Sequence, residues 1–142
     1  MKIEITNLQK IKKINSRETS RYCEKILSLL RRPSSRMSLV VCDNRFIARL
    51  NKKFFSHSGA TDVISFPLSD PFDRAYLGEV VVSIEEAVRV SGAYGNSWER
   101  EFLLYVTHGI LHLFGFDDRT SLTRRVMERK QDAIMKKLCK DR

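Results

Sequence analysis

The chain has three histidines, and two of them, His108 and His112, stand four residues apart with Gly115, Asp117 and Asp118 close behind. On a helix that spacing puts both imidazoles on one face, one turn apart. Glycine enters the left-handed conformation without a Cβ penalty, so Gly115 is placed to end such a helix. The turn it makes can carry Asp118 back toward the imidazoles. The pattern His-x3-His-x2-Gly-x2-Asp therefore reads as a site for one divalent ion, Zn2+ first among them, with His108, His112 and Asp118 as ligands. Three protein ligands leave a coordination position open for a water or a substrate atom. Asp117 is a candidate to orient a ligand or to act as base. Zinc proteases with a related pattern carry Glu directly after the first histidine as general base. This chain has Gly109 there, which speaks against peptide hydrolysis and leaves metal binding untouched.

A helix must carry these histidines, and the sequence supplies one. Asn96 with Glu99, or Ser97 alone, can cap it. Phe102, Leu103, Val106, Ile110 and Leu113 form its core face. Glu101, Tyr105, His108 and His112 fall on a second stripe within about 60° at 100° per residue. The histidines therefore need not point into the core, and Glu101 is in phase either to hold an imidazole or to stand exposed with no role.

The remaining elements read in order. Ile3 and Ile5 suggest an edge strand. Asn15 with Glu18 resembles a capping box before an amphipathic helix that buries Cys23, Ile26, Leu27 and Leu30 and ends at Arg31-Arg32-Pro33. Residues 38–42 form a short β-branched strand. Asp43 can cap a helix burying Phe46, Ile47, Leu50 and Phe54. His57 lies in the polar loop 55–61 and reads as solvated, with a role at the site left open. Residues 62–67 read as a strand stopped by Pro67, and residues 78–83 as the strongest strand. Ser83 with Glu86 makes a second capping box, opening a helix that buries Ile84, Ala87 and Val88 and is closed by Gly92 and Gly95. A last helix, about 120–140, is expected to bury Leu122, Val126, Ile134 and Leu138. The fold class expected is α+β: one domain over residues 1–142, with a small mixed sheet covered by about five helices.

Composition narrows the function classes. Hydrophobic content of 42% argues against disorder, and a net charge of +9 with pI near 9.7 points toward a polyanionic partner, nucleic acid first. Residues 119–142 hold nine basic and three acidic side chains, so +6 of the +9 follows Asp118 directly. That run reads as a phosphate-contacting wall. No apolar run approaches a membrane span, and no membrane partner is expected. Cys23, Cys42 and Cys139 show no metal-ligand spacing and read as reduced thiols of a cytoplasmic protein.

The stretch His108-Gly109-Ile110-Leu111-His112-Leu113-Phe114-Gly115-Phe116-Asp117-Asp118 resembles the signature of the YbeY family, His-Gly-x-Leu-His-Leu-x-Gly-Tyr-Asp-His. Leu50-Asn51, Thr61-Asp62-Val63-Ile64-Ser65-Phe66-Pro67 and Leu77-Gly78-Glu79-Val80-Val81-Val82-Ser83 match in type and order, so the likeness spans roughly residues 37 to 118. It implies a single-strand-specific, metal-dependent endoribonuclease of the bacterial cytoplasm, usually with zinc. The partners implied are single-stranded RNA and rRNA and the small ribosomal subunit, in 3′-end maturation and ribosome quality control. It implies an α+β fold as well. Measured against that resemblance the chain departs twice. The third histidine ligand becomes Asp118, whose charge should make a coordinated water less acidic and favour harder ions. A functional arginine becomes Phe55, removing a guanidinium suited to phosphate. His57, Lys52, Lys53 and Arg119 are candidates to replace it. The competing reading is a weak or inactive factor in ribosome assembly, stapled by metal and docked on RNA or a ribosomal protein.

Overall fold

The β-branched runs become strands and the capped amphipathic stretches become helices. The computed structural model describes residues 2–68 and 70–140. Asp141 and Arg142, counted above in the basic C-terminal run, lie outside them. The elements run β1 (Ile3–Asn7), α1 (Ser16–Leu29), β2 (Arg36–Cys42), α2 (Asn44–Phe55), β3 (Val63–Pro67), β4 (Tyr76–Ser83), α3 (Ile84–Tyr94), α4 (Trp98–Leu113) and α5 (Ser121–Lys140). The sheet order is β1-β2-β4-β3. β1, β2 and β4 are parallel, and β3 joins as an antiparallel edge. The class is α+β with a mixed sheet, as expected.

Alternation along β4 assigns the layers. Val80 and Val82 enter the main core with Leu39, Val41, Ile110 and Leu111, under α1, α3, α4 and α5. Val81 points to the other face and meets Ile64, Cys42 and Ile47 beneath α2. The two-residue period of the strand thus puts α2 on one side of the sheet and the other helices opposite. Gly78 permits this register: at φ +137° its missing Cβ would lie 2.2 Å from the Phe66 carbonyl oxygen across the β3–β4 ladder.

All five helices of the described residues start on side-chain caps, α5 on Thr120, whose Oγ1 accepts the Thr123 N–H at 3.0 Å. Asn15, Asp43, Ser83 and Ser97 accept the backbone N–H of Glu18, Phe46, Glu86 and Arg100, each worth about 1 kcal/mol. Ser97, not Asn96, caps α4. The second half of the Ser83 box gives way to other partners: the Glu86 carboxylate takes Arg89 at 2.6 and 2.8 Å. Gly92 lies inside α3, and Gly95, at φ +72°, makes its left-handed end alone.

Two burial expectations are corrected. Leu122 and Val126 are 66% and 48% exposed, while Met127, Ile134, Met135 and Leu138 are buried. The true face is centred on Met127, and at 100° per residue Val126 and Leu122 lie about 100° and 140° away from it. Phe54 is 55% exposed rather than buried: at the end of α2 it meets Phe66 of the edge strand β3 edge to face, and Ile47 is the one residue of the helix that is fully covered. Cys23 and Cys42 are buried free thiols, pushed up to about 12 by desolvation, which makes them unreactive. Among the described residues no helix is long and apolar enough to cross a membrane.

Candidate metal centre and its cleft

His108 and His112 occupy the last two turns of α4, both half-buried. The helix stops as its glycine requires. Gly115 adopts φ +92°, its N–H returns to the His112 carbonyl at 3.0 Å, and Phe116 N–H reaches Leu111 at 3.1 Å. This pair of bonds is the Schellman closure. Beyond it Asp117 Oδ1 accepts the Arg119 N–H at 3.1 Å, a tight local turn that projects Asp118 on the side of the imidazoles. That backbone bond, more than any charge, holds the Asp117 carboxyl below the usual carboxylate range.

The Nε2 atoms of His108 and His112 face each other at 3.1 Å. One ligand atom from each of His108, His112 and Asp118 falls within 4.8 Å of the others. Two nitrogens bound to one tetrahedral zinc at 2.0–2.1 Å stand about 3.3 Å apart, so the imidazole pair already has ligand spacing. The donor set, two imidazoles and a carboxylate, suits zinc and its divalent neighbours. Burial lowers the basicity of His112, and the neighbouring His108 lowers it further. Both effects keep its lone pair available.

A partner that the sequence reading missed fixes the His108 ring. Gln131 of α5 has its Oε1 2.8 Å from His108 Nδ1. A carbonyl oxygen only accepts, so Nδ1 carries the proton and Nε2 presents its lone pair toward His112. Glu101, the candidate for that task, instead takes Asn96 at 3.5 Å near the start of α4, about 10 Å along the helix axis from His108. A clue to Gln131 was present: it is a polar residue amid the apolar stripe of Met127, Ile134 and Met135. Replacing Gln131 by leucine is expected to weaken zinc binding about 10- to 100-fold, read by competition with a chromogenic chelator, while Gln131→Glu keeps the acceptor and the affinity. Equal affinity in all three proteins would remove Gln131 from the site.

The site opens into a cavity of about 620 Å3. Its walls are Thr61 and Asp62, then Val63, Ile64, Ser65 and Pro67 of β3, the two histidines, the 115–119 turn, and Asn51, Phe55 and His57 from the end of α2 and the loop after it. His57, Asp117 and Arg119 are therefore cleft residues, while Lys52 and Lys53 do not line it. Ser65 Oγ donates to the Gly109 carbonyl at 2.8 Å and fastens the site helix to β3. A glutamate at 109 would press its Cβ against Val80 Cγ1 and force α4 and β4 to shift, so the packing disfavours a protease base at this position.

A small mixed sheet presenting two helical histidines and a carboxylate to an open cleft defines a candidate metallohydrolase. A family model described as endoribonuclease YbeY matches residues 4–139. A protein from Carboxydothermus hydrogenoformans, named endoribonuclease YbeY, is 37% identical over 139 residues, covering 95% of this chain and 96% of its own. One of the same name from Pelotomaculum thermopropionicum is 36% identical over 108 residues, covering 72% and 71%. A solution structure from Thermotoga maritima superposes with a TM-score of 0.66 at 25% identity, covering 94% of this chain and 87% of that one. The chain belongs to the YbeY endoribonuclease family.

Proposed function

We propose that the protein is a single-strand-specific, metal-dependent endoribonuclease, acting on rRNA in small-subunit 3′-end maturation and ribosome quality control. The observation that carries this is the grouping of the His108, His112 and Asp118 ligand atoms within 4.8 Å on the wall of an open cleft. When bound there, a divalent ion supplies Lewis acidity toward a phosphodiester and makes water a stronger acid. The chain's own residues do the rest. Gln131 holds the His108 tautomer. Asp117 is ionised and placed to orient a ligand or take a proton. Arg119 lines the cleft beside Asp118 and offers a guanidinium to a phosphate oxygen. Arg124, Arg125, Arg129 and Lys130 are exposed on α5 and continue the positive surface along which a strand can run.

A cleft of this size holds a ligand about as large as a drug molecule, hence one or two nucleotides of a single strand and not a duplex. The test is cleavage of a labelled RNA, alone and annealed to its complement, with added zinc or manganese and then with EDTA. Cutting of the single strand only, abolished by EDTA, is the expected result. Equal cutting of the duplex, or cutting that survives EDTA, would overturn the reading. The assembly-factor reading draws on Phe55, an apolar ring on a wall where a cation would serve catalysis. Binding of the single strand without cleavage under any metal favours it.

A further inference from the structure

Phe54 and Phe55 end α2 at 55% and 45% exposure, although burial is what an apolar ring ordinarily gains from folding. Both rest on Phe66 of β3, with ring centroids 5.3 and 6.1 Å away, and the Phe55 and Phe66 planes are only 31° apart. Ser56 follows in the left-handed conformation at φ 55°, its N–H closing on the Asn51 carbonyl. That closure fixes where α2 ends and how Phe55 projects. Of the two exposed rings, Phe55 lines the cavity shared with His108, His112 and Asp118, with Asn51 and His57 beside it. A docking patch for a protein would have no need to share a wall with that site. The chain's net charge of +9 also matches a polyanion better than an apolar partner.

We propose that Phe55 is a stacking platform for an unpaired nucleobase of the RNA strand, backed by Phe66. The strand is then gripped by a base face as well as by its phosphates. This rests on the RNA-cleaving reading above and adds a base subsite to it. Every base has a π-face, so the platform accepts any base but not the loss of the base. Bases in a duplex are already stacked on their neighbours, so the ring itself selects for single strands.

The probe is a fluorescein-labelled 2′-O-methyl uridine hexanucleotide, compared with a fully abasic strand of the same length. Both are titrated onto the metal-loaded protein and read by anisotropy. Phe55→Leu is expected to bind the uridine strand about 5- to 100-fold more weakly and the abasic strand as the wild type does. The slope of log affinity against log salt stays unchanged, because no phosphate contact is lost. Phe55→Trp is expected to keep the affinity, and its emission is quenched by the uridine strand beyond the change of Trp98 seen in the wild type. An unshifted Tm for Phe55→Leu separates this effect from misfolding. Uridine-strand binding equal in wild type and Phe55→Leu overturns the platform alone and leaves the exposed rings to a protein partner. A wild type that binds neither strand overturns the RNA reading together with it.

Discussion

Loaded with zinc and desalted, the His112→Ala variant is expected to retain no stoichiometric metal and to cut single-stranded RNA no faster than a buffer blank. Structural zinc sites hold their ion with about 10–16 kcal/mol shared among four ligands, so one ligand is worth on the order of 3 kcal/mol, a loss of more than about 100-fold in affinity. The loss at His112 should be at the upper end. Its Nε2 is 3.1 Å from that of His108, so its removal leaves one imidazole and a carboxylate on an exposed turn. Asp118→Ala should be milder, since the helical pair survives it, and Asp118→His should retain metal. The fold should tolerate all three changes, because His112 is only half-buried and Asp118 is exposed. Circular dichroism and Tm check that assumption, and atomic absorption reads the metal. Undiminished zinc in both alanine variants would mean that the ion sits elsewhere and that these three residues form no reactive centre.

What the sequence discloses of this centre follows from the range of the interactions involved. The Gly115 turn, the phase shared by His108 and His112, and the caps at Asn15, Asp43, Ser83 and Ser97 are all set within about one helical turn, so spacing reveals them. Gln131 is 23 residues from His108 and meets it only because α5 packs back over α4. Nothing local to His108 points to it. The exposed Leu122 and Val126 mislead for a related reason. Apolar residues at helical spacing admit more than one face, and only the neighbouring element decides which is covered. β1 pairs in parallel with β2, a contact between strands separated by the whole of α1. Phe55 shows the same limit at the cleft. Its support by Phe66 and its position on the cavity wall exist only once β3 is laid beside α2.

Gly109→Ala should destabilise the protein even though alanine is the better helix former. In an open helix the exchange gains about 1 kcal/mol. Gly92 in α3 is such a case, with nothing within 4 Å of a Cβ built there, so Gly92→Ala is expected to raise Tm by a few degrees. At Gly109 the added Cβ would lie 2.4 Å from Val80 Cγ1, 3.0 Å from Val63 Cγ2 and 3.2 Å from Ser65 Oγ. These are short, branched or hydrogen-bonded side chains of two packed strands, with little freedom to yield. Overpacking of this kind costs about 1–3 kcal/mol after relaxation, which for a chain of this length lowers Tm by roughly 3–10 °C. Relaxation must lift α4 from β3, stretching the 2.8 Å bond from Ser65 Oγ to the Gly109 carbonyl and carrying the adjacent His108 with it. Zinc affinity should therefore fall along with stability, whereas Gly92→Ala leaves it unchanged. The two variants are compared by calorimetry and chelator competition. A Gly109→Ala protein as stable as the wild type, with its zinc affinity intact, would show that the site helix does not owe its position to the missing side chain.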